Sequence, residues 1–418
     1  MMTRRRVYFD WAAAAPFAPV LPDAEFSLKD SAYYGNPSSA HAEGRAARNA
    51  LEDARRRVAA ILNVPPGTLY WTSGGSESNA IPFFSLLAAN SGNNRRGERR
   101  IDCLTTAIEH PSILKNCETL ANLGFSVKYI RPGADGRVSP ETLAKALKNE
   151  SLPPRLVSIQ AVNNETGAIH DLQRLVDAHP QALPHPADAA KPYAKHIAVH
   201  FHSDCVQALG KIPFSLNGID SASFSAHKLG GPRGIGLLYL KKPLEALIKG
   251  GGQEQGIRPG TENVAGAVEF ARCIELFARP GTLRRNYAAA QTLMTRLIDG
   301  LLSIERCRIV PEARTAPAND GTDAAGSAAT QFYSPYILAA SFRGLPGEVM
   351  TRLLDDAGFS VSTGSACSTG AKKKQTLAAM GLDDTTAYET IRISQGFSTT
   401  EDEVDALLDA LRNICRKW

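Results

Sequence analysis

Between residues 68 and 240 the chain alternates short apolar runs with longer amphipathic ones, and this alternation narrows its fold more than any other feature. TLYWTSG (68–74), IDCLTTAI (101–108), FSVKYI (125–130), LVSIQAVN (156–163), AVHFHSDC (198–205), SASFSAH (221–227) and GIGLLYLKK (234–242) have the length and composition of strands. SNAIPFFSLLAA (78–89), with Pro82 near its first turn, and SILKNCETLANLG (112–124) have helical character. SPETLAKALK (139–148) opens with Ser139 as N-cap and Pro140 at the first helical position. Ahead of them, HAEGRAARNALEDARRRVAAILNV (41–64) places Ala46, Ala50, Ala54, Val58 and Ile61 on one helical stripe, with Arg55, Arg56 and Arg57 toward water. Strands alternating with helices imply an α/β fold with a mostly parallel sheet covered on both faces.

The character changes toward the C-terminus. ILAASF (337–342), a helix over 346–357, FSVSTG (359–364) and a helix from about 400 to 415 suggest a smaller α+β domain. The expected division is a large domain at 17–275 and a small one made of 1–16 and 276–418. The Ala/Gly/Thr/Asp-rich stretch 313–335 reads as a flexible insertion, and QALPHPADAAKPYAKH (181–196) as a proline-broken loop.

A net charge of +5 with scattered arginines gives no basic stripe for nucleic acid. The run Lys372–Lys374 reads as a solvated loop. Seven widely spaced cysteines, with no CxxC pair, suggest neither a zinc site nor a disulfide framework, but mostly buried thiols in a reducing compartment. No run reaches the ~18 apolar residues of a membrane span. MMTRRR followed by WAAAAPFAPVL imitates a secretory signal, but Asp10 and Pro16, Pro19 and Pro22 break it. The expectation is a cytoplasmic protein without a membrane partner.

Several polar groups fall just after expected strands, where ligands gather in open α/β sheets. SGGSES (73–78) is a glycine turn leading into a helix; Gly75 and the Ser76 hydroxyl suit a phosphate, although a plain tight turn has the same look. Asp204 is either a capping carboxylate or the partner of a protonated ring nitrogen. His110 is either a loop histidine or a stacking imidazole. Lys228, with Ser225 and His227 beside it, is either a surface lysine or an amine desolvated for covalent chemistry. The order phosphate turn, imidazole, aspartate, lysine favours the second reading of each.

In this order the stretches GNPSSAHAEGRAA (35–47), TSGGSESN (72–79), EHPSIL (109–114), NNETG (163–167), HSDCVQALGK (202–211), SFSAHKLGGPRGIG (223–236), GGGQEQGIRPGTEN (250–263), STGSACSTG (362–370) and RISQG (392–396) closely resemble the cysteine desulfurases of the class V aminotransferase family. PRGIG and the long loop after Cys367 are most similar to the housekeeping iron–sulfur and nitrogen-fixation branch. The resemblance implies the pyridoxal 5'-phosphate-dependent transferase fold of type I.

It also implies roles. Lys228 is then the Schiff-base lysine, Asp204 the partner of the pyridinium nitrogen and Gln207 that of the phenolic oxygen. His110 stacks on the ring. Gly75, Ser76, Ser225 and His227 bind the phosphate, and Thr261 reaches the phosphate of the other protomer in a homodimer. Asn163 and Arg392 grip the carboxylate of L-cysteine, and Cys367 takes the sulfur as a persulfide. The sulfur then passes to an acceptor protein such as an iron–sulfur scaffold or serves thio-cofactor synthesis. Ser76 stands where relatives often carry threonine, WAAAAP where they often carry threonines, and Gln395 and Phe397 where many carry an apolar residue and an arginine. The alternatives are a selenocysteine lyase, another lyase of the same fold, or a non-catalytic binding subunit.

Overall fold

The computed structural model describes residues 6–19, 31–89, 102–148, 154–178, 182–184, 196–315, 332–364 and 375–418. Its main sheet has seven strands: β1 (Leu69–Thr72), β2 (Cys103–Thr106), β3 (Val127–Ile130), β4 (Leu156–Ser158), β5 (His200–Asp204), β6 (Ser221–Ser225) and β7 (Gly236–Leu240). Their spatial order is β1-β7-β6-β5-β4-β2-β3. β7 runs antiparallel to both β1 and β6, whereas the other neighbours are parallel. The alternation did not foretell this reversal. Only residues 226–235 join β6 to β7, too few for a crossover, so the chain turns back as a hairpin. The run expected over 156–163 pairs as a strand only to Ser158.

Leu104, Val157, Phe201, Phe224 and Leu237 meet in one fully buried core. Each such side chain contributes roughly 1.5–3 kcal/mol through burial. Two helices close one face: α1 (Ala42–Leu62) packs on α2 (Val264–Ala278). The buried stripe of α1 is Ala47, Leu51, Ala54 and Val58, rotated slightly from the expected one. That face also takes in Arg55, which is not solvated: its guanidinium forms a two-pronged pair with Glu254, at 2.8 and 2.7 Å, and donates to the Leu69 carbonyl at 2.6 Å. A second correction concerns Pro82. The helix containing it, α3 (Gly75–Ala89), starts at the glycine turn with Ser78 N donating to Gly74 O, so Pro82 lies in its interior.

A second, antiparallel sheet joins β8 (Cys307–Val310), β9 (Ile337–Phe342) and β10 (Thr390–Ser394). Leu338, Phe342 and Ile393 from its strands meet Leu297, Leu354 and Leu407 from the helices Pro280–Leu302, Gly347–Asp356 and Glu401–Lys417 in a separate core. The N-terminal segment links the cores: Val7–Tyr8 pairs with Phe359–Ser360, Phe9 is buried in the second core, and Ala12 in the first.

Gln395 and Phe397, the unusual pair after Arg392, sit where the two meet. Gln395 Nε2 donates to the carbonyls of Ala290 and Pro335, at 2.8 and 2.7 Å. The Phe397 ring stacks on Phe277 at 4.2 Å and meets Trp11 edge-on at 4.8 Å. Of the expected insertion, 316–331 lies outside the described residues, while Arg314 is buried and bonds the carbonyls of Ile337 and Ser334. Of the expected proline loop, Ala182–Pro184 pairs with His196–Ala198 and 185–195 lies outside. Residues 1–5, Cys367 and Lys372–Lys374 are likewise outside the described set. Among the described residues, no helix is long and apolar enough to cross a membrane.

Candidate active site

Parallel strands put their carboxyl ends on one edge of the sheet, and the polar side chains that follow them converge there. A cavity of about 310 Å³ opens at this edge, lined by Gly75, Ser76, His110, Asp204, Gln207, Ser225, His227, Lys228 and Arg392, among others. These are nine of the residues expected from the sequence.

Lys228 ends the turn Ala226–Lys228 that follows β6. Its Nζ donates to the carbonyls of Ala12 and Ala13, at 2.8 and 2.7 Å. WAAAAP thus supplies backbone oxygens to the site. Asp204, at the end of β5, is 7% exposed. Its Oδ1 accepts from Val206 N at 3.0 Å and its Oδ2 from Asn79 Nδ2 at 2.7 Å. His110 caps the helix Pro111–Asn122: Nδ1 accepts from Ser112 N at 3.1 Å. Burial pushes its imidazole down in pKa, Asp204 opposing and Lys228 adding to the shift.

α3 begins at Gly75, and Gly75 and Ser76 of its first turn line the cavity, where a helix N-terminus favours an anion. A side chain at Gly75 has no room, since a Cβ there falls 2.8 Å from Val206 Cγ2. Ser225 Oγ lies 2.8 Å from His227 Nδ1. His227 is pushed down to about 4 by burial first and then by the charges of Lys228, Arg233 and Lys211, so the ring is neutral near pH 7. Arg392, 2% exposed, donates to Asp10 Oδ1 at 2.8 Å and to the Asn164 carbonyl at 2.9 Å.

Two expectations stand apart from the cavity, and a third falls outside the described residues. Asn163 is fully buried and its amide is consumed internally: Oδ1 accepts from Glu165 N, Thr166 N and Thr166 Oγ1, and Nδ2 donates to Ile108 O. Its job is to hold the turn, and Asn164 lines the cavity in its place. Thr261 is exposed and not among the lining residues. Cys367 falls outside the described residues.

Sequence reasoning missed Asn79 and Lys211. Asn79 lies three residues after Ser76, one turn further along the same helix, and that spacing was the available signal. Lys211, 8% exposed, donates to Gln207 Oε1 at 2.7 Å; only its place four residues after Gln207 hinted at this.

The sheet order and this donor set define an α/β enzyme whose ligand site lies beyond the strand ends. The chain belongs to the aminotransferase class-V family, whose model it matches over residues 7–407. It is 36% identical to a cysteine desulfurase of Cereibacter sphaeroides, over 98% of this chain and 95% of that protein. With the cysteine desulfurase IscS of Dictyoglomus turgidum it shares 33% identity, over 99% and 95%. Among solved structures it resembles a NifS-like protein with a TM-score of 0.81 and 32% identity, covering 99% of this chain and all (100%) of that one. SspA in complex with cysteine is similar at a TM-score of 0.70 and 27% identity, over 93% and 98%. The expected type I transferase fold is thereby borne out.

Proposed function

We propose that this chain is a cysteine desulfurase: with pyridoxal 5'-phosphate it converts L-cysteine to L-alanine and passes the sulfur on through Cys367. The observation that carries this is the convergence of Lys228, Asp204 and the start of α3 on one cavity. The donor set fits the cofactor: first-turn N–H groups with Ser76, Ser225 and a neutral His227 for the phosphate, a buried carboxylate for the ring nitrogen, an amine for the aldehyde, and an imidazole for the ring face. Bound there, the cofactor withdraws electrons from the substrate and so acidifies its Cα proton.

The residues do the rest. Lys228 would hold the cofactor through its aldehyde, and as a free amine its Nζ would take the substrate's Cα proton. Arg392 binds the substrate carboxylate with paired donors. The Cys367 thiolate attacks the substrate sulfur; an S–S bond forms, the C–S bond breaks, and its electron pair leaves with alanine. Thr261, exposed and outside the cavity, suits contact with a second copy's phosphate in a homodimer. The persulfide supplies an acceptor such as an iron–sulfur scaffold in the cytoplasm. We read the two cores as two domains, 17–275 and 1–16 with 276–418.

Purified protein given pyridoxal 5'-phosphate is expected to turn yellow, with a band near ~420 nm. Lys228→Ala removes the band. Cys367→Ser keeps it and loses alanine and sulfide production from L-cysteine. A protein that stays colourless after the cofactor is added overturns the reading, and normal turnover by Cys367→Ser removes the thiol from it.

A further inference from the structure

Gln207 sits on the cavity wall between two groups that leave its amide one orientation. Oε1 accepts from Lys211 Nζ at 2.7 Å, and Nε2 donates to the Ala12 carbonyl at 2.9 Å. A lysine ammonium offers only donors, and a carbonyl, whatever the charge of the lysine, only accepts. A flipped amide therefore sets N–H against N–H on one side and oxygen against oxygen on the other. The Ala12 carbonyl that takes Nε2 is also the acceptor, at 2.8 Å, for Lys228 Nζ. The donor end of Gln207 thus lies beside the lysine of the site.

Lys211 itself is costly to keep. It is 8% exposed, and among the described residues it has no carboxylate partner. Burying an ammonium group without a counter-charge is unfavourable, and an apolar residue of similar length avoids that penalty. Burial, with the charges of Lys228 and Arg392, pushes Lys211 down to about 7. Charged or neutral, the amine retains an N–H for Oε1.

We propose that Lys211 is a positioning residue, which fixes the Gln207 amide so that its nitrogen, not its oxygen, is presented to the ligand. This rests on the reading that Gln207 meets the phenolic oxygen of pyridoxal 5'-phosphate. A donor there stabilises the ionised oxygen; an amide free to flip presents an acceptor part of the time and repels it.

The test uses purified protein saturated with pyridoxal 5'-phosphate and reads the pH at which its visible band titrates. Lys211→Met keeps the length of the side chain and removes the donor. It is expected to raise that pH by about one unit, as the loss of one hydrogen bond to an ionised group does, and to weaken cofactor retention about tenfold. Gln207→Ala shifts the band in the same direction, and the double variant goes no further than Gln207→Ala, because Lys211 acts through Gln207. Where Lys211→Met gives no soluble protein, Lys211→Leu takes its place with the same expectation. A lowered melting temperature with an unmoved titration, or a shift that adds in full to that of Gln207→Ala, overturns the inference alone. Wild-type protein that takes up no pyridoxal phosphate overturns the reading beneath it as well.

Discussion

Asn79 Nδ2 lies 2.7 Å from Asp204 Oδ2, while its Oδ1 faces His202 Nε2 at 3.1 Å, tying the carboxylate of the site to a histidine inside the sheet. His202 Nδ1 is in turn 2.7 Å from Ser221 Oγ. Burial first, and then the neighbouring His200, push His202 down to about 3, so it is neutral at physiological pH. Because Asn79 aims Asp204, Asn79→Ala is expected to weaken pyridoxal phosphate binding by about tenfold or more, in line with one hydrogen bond to a charged group. Asn79→Asp sets two carboxylates together and weakens it further. Fluorescence titration of cofactor-free protein measures both; unchanged affinity in Asn79→Ala removes Asn79 from the site.

This pair also marks what the sequence could and could not disclose. Periodicity located β1 to β7 within a few residues, because burial on both faces leaves a plain apolar signature in all of them but the half-buried edge strand β3. Glycine turns and polar residues after strands then placed Lys228, Asp204, His110 and Ser76 on one edge. Direction was less accessible: β7 reverses because its connection is short, and its apolar run reads alike both ways. Partners distant in sequence were hidden too. Nothing in ARRRV says that Arg55 meets a carboxylate 199 positions away. Asn163 misled for a related reason, since NNETG spends one asparagine on its own turn and leaves the next for the cavity.

Stability is expected to fall in mild acid. Burial is the first cause holding His170 down to about 4 and His202 down to about 3, from an ordinary 6.5. Below pH 6.5 the unfolded chain takes up protons that the folded chain refuses, so stability is lost as pH falls toward 4 and 3. Glu109 runs the other way. Burial raises it from 4.5 to about 8, so the folded chain holds a proton that the unfolded one releases, and stability is gained as pH falls from 8 to 4.5. With His227 held down to about 4 as a third loss, three losses against one gain leave a net decline between 6.5 and 4.5, at about 1.4 kcal/mol per pH unit for each unmatched proton. Urea midpoints at pH 7, 5.5 and 4 check the slope; His202→Asn is expected to flatten it, and an unchanged slope there assigns the effect elsewhere.

Breaking the Arg55–Glu254 pair is expected to be expensive. Their side chains are 5% and 1% exposed, and Glu254 Oε2 also accepts from Trp71 N at 2.7 Å. Removing one partner leaves the other charge buried, a cost of about 3–5 kcal/mol in comparable pairs. Arg55→Met and Glu254→Gln are each expected to lower stability on that scale in urea, and Arg55→Met with Glu254→Met by less than the sum. Additive losses indicate that the two residues act separately.

Thiol labelling separates Cys367 from the other cysteines without any turnover. Burial is the first cause pushing the Cys205, Cys273 and Cys307 thiols up to about 12, so almost none of each is thiolate at neutral pH. Cys103, beside Cys117 Sγ at 3.9 Å, is raised as well, first by that contact and then by burial. Cys415 is half-exposed, but its thiol is also raised by burial. Alkylation requires the thiolate and access. Native protein treated with iodoacetamide at pH 7.5 is therefore expected to show one fast-reacting thiol, absent from Cys367→Ser, with Cys415 following slowly. In urea the barrier of burial is gone, and all seven cysteines become equivalent in kind. A fast phase that survives in Cys367→Ser and maps to another cysteine would assign the nucleophile to that residue instead.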